Sequence, residues 1–294
     1  MIRNQAKVEK FQKLLDRLIN LATEDYYNPY KEFEWPDHMP NDQLWMCPDL
    51  MTIHGTPLAD ELNPAQVIEL SKWESINFYS LNVHGIKELL TEVIRRIHSS
   101  GFEQPSDFFH HFVGEENEHM WFFAEFCLRY GGKIYADKRI AFDEYAEADI
   151  QSFLVFARIL IFEEIVDYFN LRMGRDDSLH PTIQKINHIH HQDESRHIAF
   201  GRQVVSLLHS DLRETYGKER LQELGHYLER YMEASIQLLY NPQVYKDAGF
   251  EEPYDMRQYL ARHPARQLTH GAILHRTRSF FVKNEIVTER SLAA

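Results

Sequence analysis

ENEH at residues 116–119 and ESRH at residues 194–197 are two copies of a Glu-x-x-His motif, 78 residues apart. Each copy lies inside a long stretch whose apolar residues recur at helical spacing. Residues three apart share a helix face, so each motif brings a carboxylate and an imidazole to one point. Two such helices, with a Glu from each of two others, form the ligand set of a carboxylate-bridged di-metal centre.

The sequence around the motifs predicts an all-α fold, a four-helix bundle with additional N- and C-terminal helices. Asn63-Pro64 is a helix start signal, and Gly101, Gly131-Gly132 and Gly174 mark helix ends. Residues 25–62 combine many aromatic side chains with prolines, which favours an ordered wrap over a flexible linker. We predict core helices over residues 64–99, 106–131, 146–174 and 181–209, an N-terminal wrap over 1–63 that begins with a helix at 5–24, and C-terminal helices over 212–290.

Bulk composition limits the classes of partner and compartment. The chain has 294 residues, enough for a single domain over 1–294, and a formal net charge of -13 that disfavours nucleic acid. It has no apolar run of bilayer-spanning length, and its start is charged rather than signal-like, so we expect no membrane association. Cys47 and Cys127 show no paired spacing, which predicts no disulfide framework and a cytoplasmic location.

Helix heights select the carboxylate that would accompany Glu116. Glu116 lies 15 residues after the turn at Gly101, and Glu88 lies 13 before it. At a rise of about 1.5 Å per residue their heights agree to roughly 3 Å, whereas Glu74 would miss by about 18 Å. We therefore predict Glu88 as the ligand from the first core helix, with Glu92 as the alternative.

The same reasoning pairs Glu163 with Glu194, since they lie 15 residues before and 16 residues after Ser178. Glu163 follows the apolar run Ile-Leu-Ile-Phe at 159–162, where a buried carboxylate without a cation would be costly. Only one of Glu163 and Glu164 can face inward, so the other is expected to pair with a base or to face a helix boundary.

Acidic residues precede both motif glutamates and predict outer support for the metal ligands. Glu115 and Asp193 can each accept the second ring N–H of a ligating histidine, and Arg196 is a plausible partner for Asp193. The alternative interpretation for both acids is a plain solvated surface.

His190 breaks the symmetry between the two motifs. It lies four residues before Glu194, on the same helix face, whereas Phe112 occupies the equivalent place before Glu116. We predict that His190 adds a third nitrogen to one metal, the alternative being a polar histidine cluster with its neighbours at 188 and 191.

A third copy of the motif is a control. Single Glu-x-x-His matches arise readily by chance in a chain of this composition. Glu223 and His226 form such a match in the fifth long helix, which we expect to lie outside the bundle core, so both are predicted to be surface or packing residues.

Taken together, Glu88, Glu116-x-x-His119, Glu163 and His190-x-x-x-Glu194-x-x-His197 resemble the arylamine N-oxygenases. These enzymes are the p-aminobenzoate N-oxygenase-like branch of the ferritin-like di-iron proteins, and the resemblance covers residues 70–210. It implies a ferritin-like domain, two iron ions held by four Glu and three His, and O2 as co-substrate. It further implies oxygen transfer to a small-molecule amine.

Carboxylate and imidazole ligands favour iron, with manganese as an alternative. An external electron donor of the ferredoxin or flavin-reductase type and a homodimer are further expectations. Alternative activities of the same site are hydroxylation, desaturation or oxidative cleavage of another substrate, and non-catalytic iron handling as in a ferroxidase. A radical-generating subunit would use a tyrosine near the irons, such as Tyr79 or Tyr168. The remaining alternative is a metal-free helical scaffold.

Overall fold

The computed structural model describes residues 5–138 and 142–288, and within those ranges all regular structure is helical. The prediction of an all-α chain is therefore confirmed. The first residues of the N-terminal wrap and the end of the predicted C-terminal helices lie outside the described residues. The helices are α1 Gln5–Glu24, α2 Pro29–Glu32, α3 Leu58–Glu61, α4 Pro64–Ile94, α5 Ser106–Phe126, α6 Ala148–Met173, α7 Pro181–Thr215, α8 Lys218–Gln237, α9 Pro242–Asp247, α10 Pro253–Arg262 and α11 Pro264–Lys283.

Local sequence explains where the core helices begin and end. The Asn63 side chain accepts from Gln66 N, and the Gln66 side chain accepts from Asn63 N, a capping box at the start of α4. α5 runs into a π-helical turn at Cys127–Gly131, and Gly132 then takes the left-handed conformation at φ 68°. These local signals set the first and last residues of the core helices.

Two helix pairs, α4 with α5 and α6 with α7, form the four-helix core. A row of phenyl rings on α5 fills the space between the pairs: Phe109 stacks on Phe156 of α6 at 6.0 Å, and Phe108 packs on Phe200 of α7 at 4.6 Å between ring centroids. Tyr79 of α4 stacks on Phe123 of α5 at 5.2 Å. Aromatic contacts therefore surround the middle of the bundle, where the two motifs lie.

The segment between α2 and α4 is ordered against the bundle, as its aromatic content predicts. Trp45 meets the edge of Phe126 at 5.8 Å, and Thr52 N donates to the Glu74 carboxylate at 3.0 Å. α1 packs on α5 and α7, while α8 and α11 pack on α6. In the described part of the chain, no helix has the length and apolarity needed to cross a bilayer.

Candidate metal centre

Six of the seven predicted ligands converge in the middle of the bundle. Each is at most 2 % exposed, so the group is sealed from solvent by the surrounding helices. Three helices supply it, because helical spacing brings each Glu-x-x-His pair to the inner face of its own helix. The six residues are Glu116 and His119 on α5, Glu163 on α6, and His190, Glu194 and His197 on α7.

The two motifs interlock across the α5–α7 interface. His197 Nδ1 lies 2.7 Å from Glu116 Oε1, so the imidazole of one motif meets the carboxylate of the other. His119 Nδ1 lies 3.7 Å and His190 Nε2 3.1 Å from Glu194 Oε1. One ligand atom from each of Glu116, His119, Glu194 and His197 lies within 4.8 Å of all the others, a spacing that fits atoms around a shared metal ion.

The donor atoms that face this common point approach only one another, as given above, and none of them makes a hydrogen bond of good geometry. Unpaired buried polar atoms are costly and rare in folded proteins, and here they are concentrated in one place. Such a concentration fits metal ions as the missing partners. The atoms are both carboxylate oxygens of Glu116, Glu163 and Glu194, together with His119 Nδ1, His190 Nε2 and His197 Nδ1.

By contrast, the outer nitrogen of each imidazole is held by a neighbouring side chain. His119 Nε2 donates to Asp193 at 2.9 Å, and His197 Nε2 donates to Glu115 at 2.7 Å. Both bonds leave the Nδ1 lone pair for a metal, as predicted for the acids that precede the motif glutamates.

His190 is held in the same way by Asn170, which was not predicted. Its Nδ1 lies against the Asn170 amide, whose Oδ1 is otherwise unpaired. Exchanging the oxygen and nitrogen of that amide lets Nδ1–H donate and frees Nε2 for a metal. Asn170 lies seven residues after Glu163, on the same face of α6, so helical spacing alone contained the signal.

Arg196 joins the two supporting acids, as predicted for its pairing with Asp193. Its Nη2 donates to Asp193 at 2.5 Å and to Glu115 at 2.8 Å, and its Nη1 reaches Asp25 at 3.2 Å. Tyr27 donates its hydroxyl to Asp193 at 3.3 Å. Tyr27 and Asp25 lie beyond the end of α1, in an irregular segment, so no periodic pattern in the sequence pointed to them.

The electrostatics of the group favour bound cations. Burial and the Glu194 charge raise the pKa of Glu163 well above its usual range, and burial together with Glu116 raises the pKa of Glu194. Burial opposes a charged His119, yet the adjoining carboxylates of Glu116 and Asp193 outweigh it and raise the pKa of His119 to about 10. Without cations these carboxylates compete for protons, and divalent ions relieve that competition.

Glu88, the seventh predicted ligand, does not reach this group, so the prediction that it binds a metal is wrong. Tyr79 marks the inner face of α4, and Glu88 lies nine residues later, about half a turn around the helix at roughly 100° per residue. Glu88 is exposed, and the alternative Glu92 pairs with Arg96 at 2.8 Å. Height matching therefore selected the right level of α4 but the wrong face.

The remaining predicted residues lie where their neighbours can satisfy them. Glu164 turns away from the group and accepts from Arg202 Nε at 2.7 Å, as expected for the partner of Glu163 that does not face inward. In the control motif, Glu223 pairs with Arg220 at 2.8 Å, and His226 is exposed on α8.

Known proteins resemble this chain in sequence and in fold. A family model described as P-aminobenzoate N-oxygenase AurF matches residues 8–284. Uncharacterized proteins of Mycobacterium bovis and Mycobacterium tuberculosis are 23% identical over 210 residues, which cover 67% of this chain and 61% of theirs. The match thus spans less than two thirds of the length of these relatives.

Among solved structures, a mutant R2-like ligand-binding oxidase with aerobically reconstituted Mn/Fe cofactor superposes with a TM-score of 0.53 at 15% identity, covering 93% of each chain. Another structure of that oxidase with the same type of cofactor gives 0.51 at 15% identity, covering 93% of this chain and 92% of the other. This likeness confirms the ferritin-like fold that the sequence predicts.

Proposed function

We propose, from the premise that this chain belongs to the AurF family of p-aminobenzoate N-oxygenases, that it transfers oxygen from O2 to an amine at a di-metal centre. The single observation that supports this proposal best is the buried group of unpaired donor atoms on α5, α6 and α7. In a metal-free scaffold such a group would be destabilising, because several charged side chains would be removed from water with no ion to compensate them.

The residues assigned to the metals are three carboxylates and three imidazoles. Glu116, Glu163 and Glu194 would hold two ions together with His119, His190 and His197. Iron suits this set and manganese is the alternative, in line with the Mn/Fe cofactor of the structural neighbours. When bound, the metal pair supplies the redox chemistry that activates O2.

The protein's own contribution is to hold this group rigid and dry. Asp193 fixes the tautomer of His119, and Glu115 fixes the tautomer of His197. Arg196, whose own side chain is only 5 % exposed, neutralises both acids. Phenyl rings cover the imidazoles: Phe112 lies 4.4 Å from the His197 ring and Phe123 lies 4.8 Å from the His190 ring. These rings exclude water from the oxidising site, which limits side reactions.

Membership of an oxygenase family implies a small-molecule substrate and a redox partner. A monooxygenase reduces one atom of O2 to water, and those electrons must come from outside the chain. We assign this role to a ferredoxin or a flavin reductase. A homodimer also remains part of the proposal, as does a cytoplasmic location, which the two free, buried cysteines support.

The test is a single turnover of the iron-loaded, chemically reduced protein with 18O2 and 4-aminobenzoate or aniline. We expect the hydroxylamine, carrying one atom of label from 18O2 and detected by mass spectrometry, and no product with Glu163→Gln. Glu88→Gln is the matched control and should retain product formation. Consumption of O2 without any labelled amine product, but with labelled products from non-amine substrates, would replace N-oxygenation by hydroxylation or a related activity.

A further inference from the structure

α4, which the structure describes in full, brings no carboxylate to the metal group, whereas α5, α6 and α7 each bring one. Each of its four acidic residues is exposed or bound to another residue. They are Glu69, which accepts from Trp73 Nε1 at 2.7 Å, Glu74, which accepts from Thr52, the exposed Glu88, and Glu92, which pairs with Arg96. Any donor that α4 provides for the metals must therefore be a neutral atom.

Asn82 lies on the inner face of α4 at the height of the metal group. It follows Tyr79 by three residues, so the two side chains share a helix face. Tyr79 stacks on Phe123 of α5 at 5.2 Å, and His119 lies four residues before Phe123 on that opposed helix. Steps of three and four residues correspond to rises of about 4.5 and 6 Å, so Asn82 and His119 agree in height to roughly 2 Å.

Contacts with the other core helices bracket Asn82 on both sides. Toward the start of α4, the ring of Phe123 lies 4.8 Å from the ring of His190. Toward the end of α4, a Cβ atom at Gly85 would lie 2.2 Å from Phe162 Cε2, so that ring packs on the α4 backbone beside Glu163. Asn82 therefore lies between the level of His190 and the level of Glu163.

The side-chain amide of Asn82 has a free oxygen. Asn82 is 0 % exposed, and its Nδ2 donates to Phe78 O at 2.8 Å. Because a carbonyl oxygen only accepts, this contact identifies the nitrogen and leaves Oδ1 as the other atom. Oδ1 has no hydrogen-bond partner, which is rare for a buried carbonyl oxygen and fits a metal ion as the missing partner.

His84 is the other residue of α4 with a buried donor atom that lacks a partner, its Nδ1. It follows Asn82 by two residues and so lies about 200° around the helix. Its Nε2 contacts Tyr135 O at 2.7 Å, outside the four-helix core. His84 therefore faces away from the metal group, and Asn82 is the candidate donor from α4.

We propose that Asn82 takes the place of a fourth carboxylate at the di-metal centre and binds one of the two ions through Oδ1. The inference rests on the proposed function for the presence of two ions, but not for the reaction. It adds a seventh ligand to the six already assigned, and this ligand is neutral.

A neutral ligand changes the charge of the centre. The carboxylates of Glu116, Glu163 and Glu194 carry three negative charges, against four positive charges on two divalent ions. A fourth carboxylate would bring this sum to zero, whereas the amide oxygen of Asn82 leaves one positive charge. Since affinity for hard cations depends on the number of charged ligands, we expect the ion next to Asn82 to bind more weakly than its neighbour.

The test is calorimetric titration of the metal-free protein with Fe2+ under argon, without substrate or O2. Asn82→Leu removes the oxygen at similar size and should weaken one of the two binding events by about 10- to 100-fold, at least the effect of losing an outer partner. Asn82→Glu supplies the missing charge and should tighten that same event by about tenfold. Asn77→Leu is the control, because Asn77 is a buried asparagine of α4 whose Oδ1 already accepts from Asn241 at 2.9 Å. It should bind iron like the parent.

Thermal unfolding of the same metal-free proteins separates a ligand from a residue that only supports the fold. Asn82→Leu should unfold at a temperature no lower than the parent does, because it removes a buried oxygen without a partner. Weaker iron binding together with a lower unfolding temperature would assign Asn82 to the fold and overturn the proposal. Parent-like affinity for both ions in Asn82→Leu would overturn it as well, whether or not Asn82→Glu folds.

These outcomes are distinct from those of the proposed function. Two ions in the parent, with no effect of either Asn82 variant, would end this inference and leave the six-residue centre standing. The expected shifts in affinity, in a protein that oxygenates no amine, would support Asn82 as a ligand and contradict N-oxygenation.

Discussion

His119 Nε2 lies 2.9 Å from Asp193 Oδ2, and the Tyr27 hydroxyl donates to that same oxygen at 3.3 Å. This carboxylate therefore connects a histidine of the buried group to the segment that follows α1. Because the bond fixes which ring nitrogen carries the proton, it presents the Nδ1 lone pair to the metal position.

Replacing Asp193 by leucine should weaken iron binding while the fold is kept. Loss of such an outer partner typically lowers metal affinity by about 10- to 100-fold, because the imidazole loses its orientation and basicity. Titration with Fe2+ under argon measures the effect. Ser195→Ala is the control, since Ser195 is exposed on the same helix and should bind iron like the parent. Parent-like affinity in Asp193→Leu would show that the bond is not needed.

Glu74 predicts a pH-dependent contribution to stability far from the metal group. Burial raises its pKa to about 7, against the hydrogen bonds from Thr52 and the charge of Arg266. Between pH 4.5 and 7 the native state keeps a proton that the unfolded chain loses, so stability falls as pH rises through this window. The loss amounts to about 3 kcal/mol at most.

Urea unfolding of the parent and of Glu74→Gln at pH 5 and pH 8 measures this effect. The free energy of unfolding of the parent should fall relative to that of Glu74→Gln as the pH is raised. A difference between the two proteins that stays constant with pH would mean that Glu74 titrates normally.

Substitution of glycine by alanine should have opposite effects on stability at two positions. A Cβ at position 225 of α8 would lie 2.5 Å from Ile286 O, a backbone atom, so Gly225→Ala should cost about 1–3 kcal/mol by forcing the chain after α11 away. A Cβ at position 114 of α5 would meet nothing within 4 Å, so Gly114→Ala should stabilise the helix by about 0.5–1 kcal/mol. Thermal unfolding of both variants checks the signs, and destabilisation by Gly114→Ala would contradict the open space around it.

Much of the bundle could be predicted from the sequence because its signals are local. The Asn63-Pro64 start of α4 and the glycines after α5 act through their own backbone, and they lie where predicted. The helix after Pro181 runs to Thr215, beyond the predicted residue 209, since nothing in that stretch stops it. The height of a residue along a helix follows equally from the sequence, by counting residues from the nearest turn. That count correctly excluded Glu74 as a metal ligand, since its carboxylate accepts a hydrogen bond from Thr52 instead.

The face of α4 could not be predicted in the same way. Which side of a helix points inward depends on its packing partners, and α4 is largely apolar or buried on several sides. Glu88 matched in height, yet the inner face carries Asn82 and Ile86 near that level instead of a carboxylate. The position of Asn170 could have been predicted from helical spacing. Tyr27 and Asp25 could not, because they lie in an irregular segment whose path is determined only by tertiary packing.

Metal content per chain in the parent, Glu163→Gln and Glu88→Gln tests the central claim most directly. Each protein is loaded with Fe2+ under argon, passed through a desalting column and measured by inductively coupled plasma mass spectrometry. The parent and Glu88→Gln should hold about two ions per chain, and Glu163→Gln should lose most of them. Of the two substituted residues, Glu163 lies in the buried group and Glu88 is exposed. Equal metal content in all three proteins, or a loss confined to Glu88→Gln, would contradict the assigned centre.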